Sequence, residues 1–118
     1  MKFLWLFILC SCFILCCTSS SKTKDGTYIY DVAFAEWQGR SMGAKVEVQI
    51  KGDSVFIRNY QGLSGKKGEL IDSGILIQHK NGDWIVAHSP DDKFEDEIGG
   101  CSDGPAIIDL KNKKFWLC

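Results

Sequence analysis

The chain has 118 residues, with 14 Lys and Arg against 15 Asp and Glu and a formal net charge of −1. That balance provides no basic face for nucleic acid. The length suits one domain with one modest core, and 12 Gly with only 2 Pro point to turns between short strands.

The chain opens with Met1-Lys2, continues through an uncharged apolar run over residues 3–17, and exits through Thr18-Ser19-Ser20-Ser21. A basic start, an apolar run and a polar exit make a secretory signal. The run is about fifteen residues, short of the roughly twenty that a helix needs to cross a bilayer core. It therefore reads as a cleaved signal. Cys10, Cys12, Cys16 and Cys17 all lie in this leader.

The leader resembles that of a bacterial lipoprotein precursor. In that family an apolar residue and two mostly small residues precede a Cys. The Cys becomes the first residue of the mature chain, and its thiol carries diacylglycerol. Ile14-Leu15-Cys16-Cys17 fits this pattern after a full-length run, although Leu15-Cys16 is bulkier than the usual small pair. Leu9-Cys10-Ser11-Cys12 is the alternative, after a shorter run. The resemblance implies a signal peptide over 1–16, a lipid on Cys17, a tether over 17–25, and a domain over 26–118 anchored at an envelope membrane. It carries no information about activity.

Cleavage before Cys17 leaves that residue with Cys101 and Cys118. An odd cysteine in an exported protein needs an explanation. Lipid on Cys17 supplies it and leaves Cys101 and Cys118 as a disulfide pair in an oxidising compartment. The closed loop of about eighteen residues is worth on the order of 3 kcal/mol in the chain-entropy model. The other reading is two buried, unpaired thiols.

Residues 27–34 (Thr-Tyr-Ile-Tyr-Asp-Val-Ala-Phe) read as a first strand. Tyr28, Tyr30, Val32 and Phe34 share one face. Ile29 and Ala33 share the other with Asp31, so both faces are fairly apolar. A loop follows over 36–43. Over 44–60, Val46, Val48 and Ile50 alternate with Lys45, Glu47, Gln49 and Lys51. Gly52-Asp53 fits a two-residue hairpin turn. That turn sets Ile50 opposite Val55, Val48 opposite Ile57, and Glu47 opposite Arg58. A slip of one residue destroys every match.

A Gly- and Lys-rich loop spans 61–68. Residues 69–73 form either a short strand or one that runs through a bulge at Gly74. A second hairpin covers 75–88 around Asn81-Gly82, a strong short turn signal. It pairs His79 with Trp84, Ile77 with Val86 and Ile75 with His88. Residues 89–100 are polar, with one helical turn around Phe94. Residues 106–109 and 114–117 form a closing pair of strands. Seven or eight short strands predict an all-β antiparallel meander, either a barrel or a sandwich. The strand count looks lipocalin-like, an analogy of fold alone.

Candidate chemistry is sparse. His79 and His88 share a hairpin face but lie about 13 Å apart at roughly 3.3 Å per residue, too far for one zinc ion. Asp91, Asp92, Glu95, Asp96 and Glu97 lack the spacing of a Ca²⁺ loop and read as a solvated loop. No Ser lies in a nucleophile elbow. The pairing with Cys118 accounts for Cys101 more simply than a catalytic role. Neither metal ligands nor a cofactor motif stands out.

Trp37, Arg40, Tyr60 and Trp84 are the binding candidates, since aromatics and Arg dominate interface anchors. The reading is a membrane-anchored, non-enzymatic binding module. One version holds a small apolar ligand inside the barrel, lined by Tyr28, Tyr30, Ile77 and Trp84. The other is an inhibitor or immunity-type protein that binds a protein partner through Trp37 to Met42 and the acidic stretch.

Overall fold

A computed structural model describes residues 22–118. The predicted signal peptide and the lipidation candidates Cys17 and Cys12 lie outside the described residues. Seven strands follow one another as β1 (Gly26–Phe34), β2 (Lys45–Lys51), β3 (Ser54–Gln61), β4 (Leu70–Gln78), β5 (Trp84–Ala87), β6 (Ala106–Asp109) and β7 (Lys114–Leu117). They form one closed barrel in sequence order, so the architecture is a barrel and not a sandwich. Each consecutive pair is antiparallel, whereas β1 and β7 pair parallel, with Val32 opposite Phe115. An odd number of alternating strands points the first and last the same way, so closure must be parallel.

Alternation along the strands fills the interior. Tyr30 and Val32 from β1, Val46, Val48 and Ile50 from β2, and Val55 and Ile57 from β3 meet Leu76, Val86, Ile108 and Phe115 from the other strands. All of these are buried. The barrel's centre is therefore a packed core, and of the residues expected to line a cavity, Tyr30 belongs to that core. Burying such side chains stabilises the fold by roughly 1.5–3 kcal/mol for each large aliphatic or aromatic group.

The first hairpin has the register that its apolar alternation predicts. Ile50 faces Val55, Val48 faces Ile57 and Glu47 faces Arg58. The Arg58 guanidinium donates to the Gly68 carbonyl at 3.3 Å.

The second hairpin departs from its predicted register by one residue. Gln78, not His79, pairs with Trp84, and Ile77 pairs with Ile85. The connection is a five-residue loop over 79–83. His79 causes the change, because its ring turns inward and is 5% exposed. The Asn81 N–H donates to Nδ1 at 3.1 Å, which leaves Nε2 to donate to the Glu95 carbonyl at 2.6 Å. The His79 N–H reaches the Asp83 carbonyl at 2.7 Å, and the Gly82 N–H reaches the His79 carbonyl at 2.8 Å. A tight Asn-Gly turn would forfeit this buried network.

β4 runs unbroken through Gly74, and the irregularity lies nearby, where Ile57 faces Asp72 but Arg58 faces Leu70. Gly74 serves a different purpose. A Cβ there would stand 2.1 Å from the Ala87 carbonyl oxygen, so only glycine allows β4 and β5 to approach this closely. The 62–69 loop hangs from Asn59, a buried residue whose Nδ2 donates to the carbonyls of Gly65 and Lys66 at 3.2 Å.

A second apolar layer lies outside the barrel. Ala33, Ile85 and Ala87 are fully buried, yet they alternate with interior residues and so point outward. Residues 88–105 fold over the outside of the barrel, through a 3-10 turn at Pro90–Phe94 that meets β4 and β5 and through Gly99, where an added Cβ would stand 2.4 Å from Ile107 on β6. Cys101 in this segment is bonded to Cys118 at 2.01 Å.

The last residues of the expected tether lie along the barrel's end. Lys22 bonds the Gly52 carbonyl through Nζ, the Tyr28 hydroxyl donates to the Lys24 carbonyl at 2.6 Å, and Asp25 accepts from the Gly52 N–H at 3.1 Å.

Candidate functional site

The hydrogen-bond ladder between β5 and β6 has two pairs, Ile85 with Ile107 and Val86 with Ala106. A longer ladder would set Trp84 opposite Ile108 and Asp83 opposite Asp109. Those four residues instead line a cleft of about 810 Å³, at the barrel end where residues 22–25 lie. β6 lines it with consecutive residues, 107 to 110, which point alternately outward and inward. The cleft therefore runs from the barrel's outer surface into the seam between the two strands.

Its walls are mostly apolar. Trp84 stands on one side, packed against the core. Ile107, Ile108 and Leu110 form the middle, and Trp116 with Ala35 and Gly100 form the far side. Trp116 is held from outside by the loop after β1. Gly39 there has φ +86°, and a Cβ on it would stand 3.0 Å from the tip of the Trp116 ring. Glycine thus permits both the left-handed backbone and the close approach to the indole.

The mouth is polar and carries both signs of charge, with Thr23, Asp83, Asp109 and Lys111 around it. The Asp109 carboxylate accepts from the Asn112 N–H and from Asn112 Nδ2, both at 2.9 Å. The Asn81 amide donates to Asp83 at 3.3 Å. Tyr30 reaches this end from the core. Burial pushes its phenol above the ordinary value of 10.0, the hydrogen bond with Thr23 works against that rise, and neighbouring Tyr28 and Asp109 add to it.

Of the four predicted binding residues, Trp84 lies in the cleft and the other three stand elsewhere. Trp37 is 48% exposed on the 3-10 turn at Ala35–Trp37 and meets Phe34 edge-on at 5.2 Å. Arg40 is exposed two residues beyond that turn's cap and bridges back to Phe34 through its backbone. Tyr60 is half-buried on β3, with the Lys67 ammonium 4.5 Å above its ring. The two histidines serve separate structural ends. His79 organises its loop, and His88 pairs with Asp72 at 2.9 Å. Among the described residues no cluster of three or more His, Cys, Asp or Glu is arranged to hold a metal ion.

Sequence reasoning missed Trp116, Ile107 and Leu110. A signal existed for Ile107 and Trp116. Ile85-Val86-Ala87, Ala106-Ile107-Ile108 and Phe115-Trp116-Leu117 are unbroken apolar runs in short strands, a pattern of burial on both faces. The first of these runs, on β5, carries Ile85 and Ala87 of the outer apolar layer.

The fold and the cleft define a small all-β barrel with a solid centre and an apolar recess in its wall. No family model matches the chain, and neither a curated protein nor a solved structure is detectably similar to it.

Proposed function

We propose that this protein is an exported, lipid-anchored, non-enzymatic module of a bacterial envelope, which binds a small amphipathic ligand in the cleft between β5 and β6. The observation that carries the binding reading is the cleft itself. Two tryptophans and three aliphatic side chains face a recess of about 810 Å³ with charged groups at its mouth. That volume falls in the range of roughly 300–1,000 Å³ usual for small-molecule sites, which are likewise apolar with a few polar groups for orientation. With the barrel centre packed, this reading assigns the ligand to the wall and not to the interior. Export and anchoring rest on the leader's lipoprotein-like pattern, and the Cys101–Cys118 bond suits an oxidising compartment.

The test is a titration of the purified protein with a water-soluble, brominated short-chain fatty acid, since bromine quenches tryptophan on contact. Saturable quenching at one ligand per chain, reduced in Trp84→Phe, is the expected result. Absence of saturable quenching would overturn the binding reading.

A second reading has one observation in its favour, the exposure of Trp37 and Arg40 on one loop. It assigns that loop to a protein partner. It predicts that Trp37→Ala abolishes co-purification of a stoichiometric partner while leaving quenching by the fatty acid unchanged.

A further inference from the structure

We propose that the ligand of this cleft is a phospholipid of the bilayer on which the protein is anchored, taken with its headgroup at the mouth and an acyl chain along Trp84, Leu110 and Trp116. This inference rests on the anchored-binder reading above and adds the ligand's class and source.

Three observations converge on it. Thr23 lines the cleft, so the chain that leads to the anchor passes the mouth. Residues 22–25 are fastened to the barrel end, through Lys22 on the Gly52 carbonyl and Asp25 on the Gly52 N–H. Only four residues lie between Cys17 and Lys22, a span of at most about 18 Å of extended chain. An anchor on Cys17 therefore holds this end of the barrel, and the cleft mouth with it, close to the membrane surface. The mouth also has the right chemistry. Asp83 and Asp109 suit an ammonium group and Lys111 suits a phosphate, the two charges of a zwitterionic headgroup. Beyond them the walls are apolar, as an acyl chain requires.

The closing experiment uses the mature lipidated protein in phosphatidylethanolamine–phosphatidylglycerol vesicles whose acyl chains are brominated, compared with unbrominated vesicles. Tryptophan emission is expected to fall at least two-fold in the wild type and to recover in Ala35→Phe, which places a ring in the cleft beside Gly100 and Trp116. The short-chain brominated acid, added from the aqueous phase to protein on unbrominated vesicles, forms the second arm. Quenching by that acid without quenching by bilayer lipid would overturn the membrane source and leave the binding function standing. Quenching in neither arm would overturn both. Bilayer quenching that Ala35→Phe leaves intact, with that variant still folded by circular dichroism, would place the tryptophans at the interface and overturn the inference. Native mass spectrometry gives an independent readout: one non-covalent phospholipid on the wild-type chain, absent from Ala35→Phe.

Discussion

Cys101 and Cys118 join the two sides of one wall of the cleft. Cys101 follows Gly100, and Cys118 directly follows the strand that carries Trp116; both Gly100 and Trp116 line the recess. The bond spans a sequence separation of 17, yet it fastens the outer segment over 88–105 to the strand that closes the barrel. The same covalent link thus serves stability and the shape of the site.

Reduction, or the Cys101→Ser/Cys118→Ser pair, is expected to cost on the order of 3 kcal/mol. For a domain of this size that corresponds to a fall of roughly 10–20 °C in melting temperature. Ligand quenching should weaken well below that temperature, because Gly100 and Trp116 lose their tie. Equal quenching by folded oxidised and reduced protein would show that the bond does not shape the cleft.

His79 is expected to control the loop of the second hairpin. His79→Ala removes a hydrogen bond to the Glu95 carbonyl and another from the Asn81 N–H. The loss should be about 1–3 kcal/mol, the usual result of stranding buried polar groups. Urea denaturation reads the stability. Amide exchange at Asn81 should accelerate far more than exchange in the first hairpin, and uniform acceleration would contradict a local role.

Asn59 pins the loop over 62–69 through its amide donors. Asn59→Ala should cost about 1–3 kcal/mol and expose Lys66 and Lys67 to trypsin. Faster cleavage at those two bonds, in protein that is still folded, is the expected outcome. Unchanged cleavage there would mean that the backbone bond from the Asn59 N–H to the Glu69 carbonyl suffices to hold the loop.

Tyr30 predicts instability in base. Burial is the largest cause that raises its pKa above the ordinary value of 10.0. Between those two values the folded chain holds a proton that the unfolded chain has released, so stability falls as pH rises. The contribution is complete below about pH 10 and is lost as pH climbs through the folded value. Phenolate absorbance should show a phenol that titrates above the ordinary value of 10.0, together with unfolding in strong base. Tyr30→Phe should remove the late-titrating phenol. Absence of a late-titrating phenol in the folded protein would contradict the buried Tyr30.

The two hairpins show where sequence reasoning holds and where it stops. In the first, apolar residues alternate on both strands and the turn is glycine-led, so local pattern and tertiary packing agree. In the second, Asn81-Gly82 is an equally strong local signal, but a contact 16 residues away, from His79 to the Glu95 carbonyl, pulls the strand into a different register. Trp84, which lines the cleft, could be singled out as a candidate because it is a tryptophan beside a turn. Trp116 was not, because which face of β7 stays partly open depends on where the outer segment ends.

The amino-acid sequence by itself determined the all-β class, the strand positions, the first hairpin's pairing and the two cysteines that lie beyond residue 17. These follow from period-2 alternation, turn chemistry and counting, all of which act over a few residues. Tertiary structure alone decided that the barrel closes through a parallel pair, that its centre is filled, and that a cleft opens where the β5–β6 ladder ends. The physical reason is range. A ladder ends where two strands stop matching, and these two are joined by residues 88–105, whose packing over the outer apolar layer decides how far they stay together.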